Sequence, residues 1–193
     1  MGDIYRNAKK ALACIGKDID GGAEDVAGLV HDISKMISKY NSIADMPILA
    51  ADNTLFDDPR WKALATLMKC PWFTRPWVVQ EVGLAKDPRV LYGVVEFSYR
   101  DLMRLAIWTD RCASNLDPRA GISFFTIHRD WLDWSEDWRK TADYPDLTFL
   151  DLLNHARWLS CFDPRDHIYA YLGHPLARSE DGRGLIVGPR LSD

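Results

Sequence analysis

The run Ala11-Leu12-Ala13-Cys14-Ile15-Gly16 constrains the fold of this chain more than any other stretch. It is unbroken in its apolar character, too short for an amphipathic helix, and closed by Gly16 and then Asp18. Such a run predicts a short strand covered on both faces, as in a parallel sheet packed between helices. The following residues supply cover of that kind. Val26, Leu29, Val30, Ile33, Ile37 and Tyr40 recur at helical spacing and predict an amphipathic helix over 23–40. A second strand is predicted over Arg89–Gly93, after two more helices. The order strand, helix, helix, strand predicts an α/β fold, helix-rich, with two or three short strands.

Local signals mark the other helices. Asp58 and Pro59 suit the cap and first turn of a helix whose buried stripe is Trp61, Leu64, Ala65 and Met68, and Pro71 stops it. Pro76 opens the next helix. Ser98 to Asp101 has the spacing of a capping box and starts a helix of about 15 residues. Phe124, Ile127, Trp131, Leu132 and Trp134 suggest a helix within 119–143. Trp131, Trp134 and Trp138 form one stripe on it, suited to docking on another domain. Thr148 to Asp151 opens a further helix, and Asp163 to Asp166 the last, which Gly173 closes. The tail, 174–193, is rich in Gly, Pro and charge and is expected to be loose.

Composition narrows the function. At 193 residues the chain has the size of one domain, and 47% hydrophobic against 27% charged residues is ordinary for a globular protein. A net charge of −4 gives no electrostatic reason to expect nucleic acid. Cys14, Cys70, Cys112 and Cys161 are far apart and read as reduced thiols, which points to the cytoplasm. His128, His155 and His167 share no metal-ligand spacing, so no metal is expected. No stretch of about 18 apolar residues predicts a membrane span.

Glu81 stands out chemically. It lies in Pro76-Trp77-Val78-Val79-Gln80-Glu81-Val82-Gly83-Leu84-Ala85. At roughly 100° per residue, with Trp77 at zero, Glu81 falls near +40°, between Leu84 near −20° and Ala85 near +80°. The carboxylate is thus placed within the apolar arc, whereas Gln80, near 300°, and Lys86 mark the wet side. An acid so placed pairs with a cation, shifts its pKa or faces a ligand. Arg75 is one candidate partner, and also a residue pushed out of the helix by Pro76. Arg165, projecting from the last helix, is another. Asp163 suits the cap of that helix, and Asp166 its third position, where a carboxylate favours the helix dipole.

Three blocks resemble a known family, the fungal heterokaryon incompatibility (HET) domain. Arg75-Pro76-Trp77-Val78-Val79-Gln80-Glu81 is similar to its R-x-W-x-x-Q-E block. Asp163-Pro164-Arg165-Asp166-His167-Ile168-Tyr169-Ala170-Tyr171-Leu172-Gly173 is similar to its D-P-R-D-x-I-Y-A-L-L-G block, with Tyr171 for a leucine. Met1-Gly2-Asp3-Ile4-Tyr5-Arg6-Asn7-Ala8 resembles its M-x-x-I-Y-x-x-A helix. The resemblance covers 1–173, and the family's opening segments have no counterpart here. It implies a domain truncated at its N-terminus: a partial flavodoxin/TIR-like parallel sheet with added helices, its N-terminal strands missing.

Two functions follow from that resemblance. One is a cytoplasmic signalling and interaction module of non-self recognition and programmed cell death, with other protein domains or its own copies as partners. The other comes through the family's likeness to TIR domains, some of which cleave NAD with a glutamate in a W-x-x-x-E arrangement. Trp77 and Glu81 stand at that spacing. On this reading Glu81 is the catalytic acid, Trp77 and Arg75 bind substrate, Gln80, Asp163, Arg165 and Asp166 belong to the structural motif, and NAD is a substrate rather than a cofactor.

Overall fold

The computed structural model describes residues 2–116, 121–122, 148–178 and 184. In chain order the elements are α1 (Gly2–Asn7), β1 (Ala11–Gly16), α2 (Ala23–Ile37), α3 (Arg60–Met68), α4 (Trp77–Gly83), β2 (Pro88–Tyr92), β3 (Val95–Ser98), α5 (Tyr99–Cys112), α6 (Phe149–Ala156) and α7 (Asp166–Tyr169), with short 3-10 turns between them. The fold is α/β and helix-rich, as expected.

Among the described residues the sheet has three strands in the order β1-β2-β3. β1 runs parallel to β2, from Ala11 opposite Pro88 to Gly16 opposite Tyr92, with a register shift between Cys14 and Gly16. β3 runs antiparallel to β2, which makes the sheet mixed rather than purely parallel. The sequence reading did not place β3. Only a two-residue loop, Gly93-Val94, separates it from β2. Gly93 takes φ 60°, the left-handed conformation a tight hairpin needs at this position. A Cβ there would also lie 2.8 Å from that of Asp18.

The expected two-sided cover of β1 is not observed. Ala13 and Ile15 are buried, while Leu12 is 46% exposed and Cys14 is exposed. An apolar run of small residues cannot record which of its faces is covered, and here one face alone is packed. β2 and β3 bury Val90, Tyr92 and Phe97.

The core lies where α2 meets α3 and α5. Val26, Leu29, Val30, Ile33 and Ile37 form the predicted stripe of α2, facing Trp61, Leu64 and Leu67 of α3 and Leu102, Leu105, Ala106 and Trp108 of α5. The helix ends at Ile37, short of the predicted residue 40, because the last amides tighten: Lys39 and Tyr40 donate to the carbonyls three residues back. Arg60 binds α3 to α2, reaching both Asp58 and, at 2.7 Å, Asp32.

The expected helix starts at Asp58, Ser98 and Thr148 are observed, whereas the last helix ends at Tyr169, short of the expected stop at Gly173. Asp58 accepts the Arg60 amide at 2.9 Å, and Ser98 Oγ accepts the Asp101 amide at 3.2 Å. Asp101 does not complete the box but takes the Ser34 hydroxyl at 2.7 Å, tying α5 to α2. Thr148 and Asp151 form a reciprocal box, amide to side chain both ways. The predicted helix within 119–143 and its tryptophan stripe lie outside the described residues, as does most of 174–193. Of that tail, His174 and Ala177 are buried.

The start of α2 depends on an acid that the sequence reading treated only as a stop. Asp18 accepts the amides of Gly22 and Ala23, both at 2.9 Å, with one oxygen each. Asp18→Ala removes both acceptors from the N-terminus of the central helix. The expected loss in urea unfolding is about 1–2 kcal/mol. A loss within about 0.5 kcal/mol, the range of an ordinary surface change, would show that the cap is not structural.

Candidate functional site

α4 is short because Pro76 opens it and Gly83 closes it, and it packs against α1 on one side and β1 and β2 on the other. This double contact buries Val78, Val79, Gln80 and Val82. Gln80, expected on the wet side, is 3% exposed, and its Oε1 meets no hydrogen-bond partner among the described residues. A helix held between two neighbours has two covered faces, so a residue opposite one apolar arc is still buried. Trp77 is half-buried and packs against the core.

Glu81 is half-buried at the meeting of α4, α1 and β1. Its hydrogen-bond donor is the hydroxyl of Tyr5 on α1. Arg75, exposed just before the helix, favours the carboxylate through its charge. Burial outweighs both and holds the Glu81 pKa above the ordinary carboxylate value. Tyr5 moves the same way, through its own burial first and then the charge of Glu81. The acid, predicted to need a partner, has a hydroxyl that the sequence reading did not single out. Tyr5 was legible only as part of a family block.

A cleft of about 240 Å3 opens beside the pair. Ile4, Tyr5 and Ala8 of α1 and its exit, Lys10 to Ala13 along β1, and Glu81 and Val82 of α4 line it. Alanines at 8, 11 and 13 make the room. Trp77 and Arg75, the residues expected to bind substrate, are not among the lining residues, and the aromatic side chain on the wall is Tyr5.

Arg165 does not reach Glu81. Its side chain is 73% exposed and its guanidinium donates to both oxygens of Asp163, at 3.0 and 2.6 Å. Two residues of separation let this pair close locally, so no long-range partner is needed. Asp163 also accepts the Arg165 amide at 3.0 Å, which fixes the turn before α7. Arginine and backbone together hold the Asp163 carboxyl down at about 2. Asp166 lies in the first turn of α7. His167 Nδ1 meets the Ala156 carbonyl at 2.7 Å and ties α7 to α6. Among the described residues no cluster of His, Cys, Asp or Glu is arranged to hold a metal, and no helix is long and apolar enough to cross a membrane.

Two measurements check this assignment. In double-mutant cycles Glu81 and Tyr5 should couple by more than about 0.5 kcal/mol, while Glu81 and Arg165 show no coupling; the reverse pattern would restore the pairing first expected. The pH dependence should carry a sign as well. A carboxyl whose folded pKa is raised binds its proton more tightly in the native state. Its contribution is fully present below the unfolded value of 4.5 and is lost as pH rises through the folded value. Glu81→Gln should remove that loss, flattening the stability profile on the neutral side of 4.5. A mutant that tracks the parent across this window would show that Glu81 is not desolvated.

No match was found among curated proteins or among solved structures. Residues 1–81, from α1 to the carboxylate of Glu81, match the family model of the heterokaryon incompatibility protein (HET), in agreement with a HET domain in this part of the chain.

Proposed function

We propose that the chain acts as an interaction module in the non-self recognition and programmed cell death of a fungal cell, working in the cytoplasm through contacts with other protein domains. The observation that carries this reading is the match of residues 1–81 to the family model of the heterokaryon incompatibility protein. Within that stretch Leu12, Cys14 and Ile4 are exposed, Ile4 to 70%, and exposed apolar groups offer a surface for protein contact.

A second reading is supported by Glu81. A half-buried acid with a raised pKa in a cleft is the kind of group that stabilises an oxocarbenium-like centre during cleavage of the nicotinamide–ribose bond of NAD. The size of the cleft weighs against it. At about 240 Å3 it is smaller than the roughly 300–1,000 Å3 of sites that enclose whole small-molecule ligands, and a dinucleotide is a large ligand.

Controlled expression of the chain and of Glu81→Gln in a filamentous fungus, scored for cell viability, separates the readings when paired with nicotinamide release by the purified proteins. The interaction module predicts death from both chains without nicotinamide release. The hydrolase predicts release that falls about 10²–10³-fold in the mutant, with death lost alongside. Absence of death from the unmutated chain would overturn the module.

A further inference from the structure

The net charge of −4 hides an uneven distribution along the sheet. β1 and β2 run parallel and begin at the same end, where antiparallel β3 finishes and α5 starts. Hydrogen bonds and ion pairs knit that end together. The Ala11 amide donates to the Asp87 carbonyl at 3.1 Å, and Arg100 Nη2 donates to the Lys86 carbonyl at 3.0 Å. Lys10 Nζ and Arg89 Nε both meet Glu96 Oε1, at 2.7 and 2.9 Å. Four cations, Lys10, Lys86, Arg89 and Arg100, thus stand against two acids, Asp87 and Glu96. At the far end of the sheet Lys17 is outnumbered by Asp18, Asp20, Glu24 and Asp25.

The basic end is held in place and under-neutralised. Lys86 and Arg100 are exposed, and neither is paired with a carboxylate of the described residues. Arg89 meets Glu96 through its Nε, and that acid already holds two cations on one oxygen. The Lys86 carbonyl anchors the Arg100 guanidinium, so part of its ordering cost is met before any partner arrives. A single exposed ion pair contributes only about 0.2–1 kcal/mol, so one carboxylate is too little and several on one chain are required. Acids on alternate residues of an extended segment recur on one face about every 7 Å and can meet several cations at once. Nucleic acid is a poorer match. The chain as a whole is negative, and the exposed rings, Tyr40, Trp158, Phe162 and Tyr169, belong neither to these strands nor to α5.

We propose that this basic end of the sheet binds an acidic segment of a partner protein, whose glutamates or aspartates pair with Lys86, Arg89 and Arg100. The proposal rests on the interaction-module reading and specifies its partner. The surface is separate from the Glu81 cleft, with which it shares only Lys10. Complementary charge of this kind governs encounter rate and partner choice more than final affinity, so the complex is sensitive to salt.

Fluorescence polarisation with labelled nonapeptides tests this on the full chain. The probes alternate serine with either glutamate or glutamine. The glutamate peptide should bind at least about tenfold more tightly than its glutamine counterpart. Its affinity should fall as salt rises from about 0.05 to 0.5 M. Lys86→Glu combined with Arg100→Glu should weaken binding at least about tenfold while circular dichroism stays unchanged. Lys62→Glu combined with Lys69→Glu makes the same change of net charge on exposed lysines of α3 and its end, and should leave binding unchanged. Should the reversed chain fail to fold, Lys86→Gln with Arg100→Gln carries the same test. Equal affinity for the two peptides, no binding up to about 1 mM, or an equal loss in both lysine and arginine reversals would each overturn the proposal. Tighter binding of a uridine oligomer or of phosphatidylserine vesicles would overturn it too, as would self-association that the Lys86 and Arg100 changes abolish. Failure here with cell death intact would leave the interaction module standing with another surface. Peptide binding without cell death would sink the module and keep the site.

Discussion

β2 is the strand on which the rest of the described fold depends, because it alone is paired on both edges. Its parallel partner β1 and antiparallel partner β3 leave it no free ladder, and Val90 at its centre is fully buried. The helices follow from that placement. α5 packs on β2, α2 joins α5 and α3, and α4 lies across β1 and β2. The Gly93 hairpin and the Asp18 cap meet at one corner, where the Gly93 amide also donates to the Gly16 carbonyl at 2.9 Å. Hairpin, strand end and helix start are therefore fixed together. A substitution at this corner acts on three elements at once, which is why a short sheet can orient so many helices.

The position of Glu81 follows from the same scaffold. A carboxylate buried among apolar groups is costly unless compensated. Here the compensation is partial, a tyrosine hydroxyl and a nearby guanidinium, and burial still prevails. A purely structural ion pair would have been built the way Asp163 and Arg165 are, with short bidentate contacts that hold the acid ionised. The contrast between the two carboxylates of the family-like blocks is informative. Asp163 is satisfied locally and fixes a turn, whereas Glu81 keeps an incomplete environment beside open space.

Much of this was legible in the sequence, and the failures have identifiable physics. Periodicity found the α2 stripe, and local side-chain chemistry found the starts of α3, α5 and α6, because such signals act over three or four residues. β3 was missed because its four residues are too few to show a period, and because Ser98 was read only as a helix cap. Gln80 was misplaced because a helix packed on two sides does not obey a single-face rule. Glu81 was found from its angle within the apolar arc. Its partner was not, since Tyr5 reaches it through the packing of α1 on α4, a contact between segments far apart in the chain that no local pattern encodes. Arg165 was assigned to Glu81 on charge alone, and the nearer Asp163 took it.

The hollow beside β1 and the incomplete acid are best understood together. Ala11 and Ala13 of β1, with Ala8 before them, hollow the cleft leading to Glu81. Larger residues at these three positions would fill the space, cover the carboxylate's surroundings and remove the pocket. Stability alone would favour such filling, because packed methylenes stabilise while voids do not. An alanine-lined hollow beside an under-compensated acid forgoes that stabilisation, and it leaves the Glu81 carboxyl facing open space that packed side chains would otherwise close.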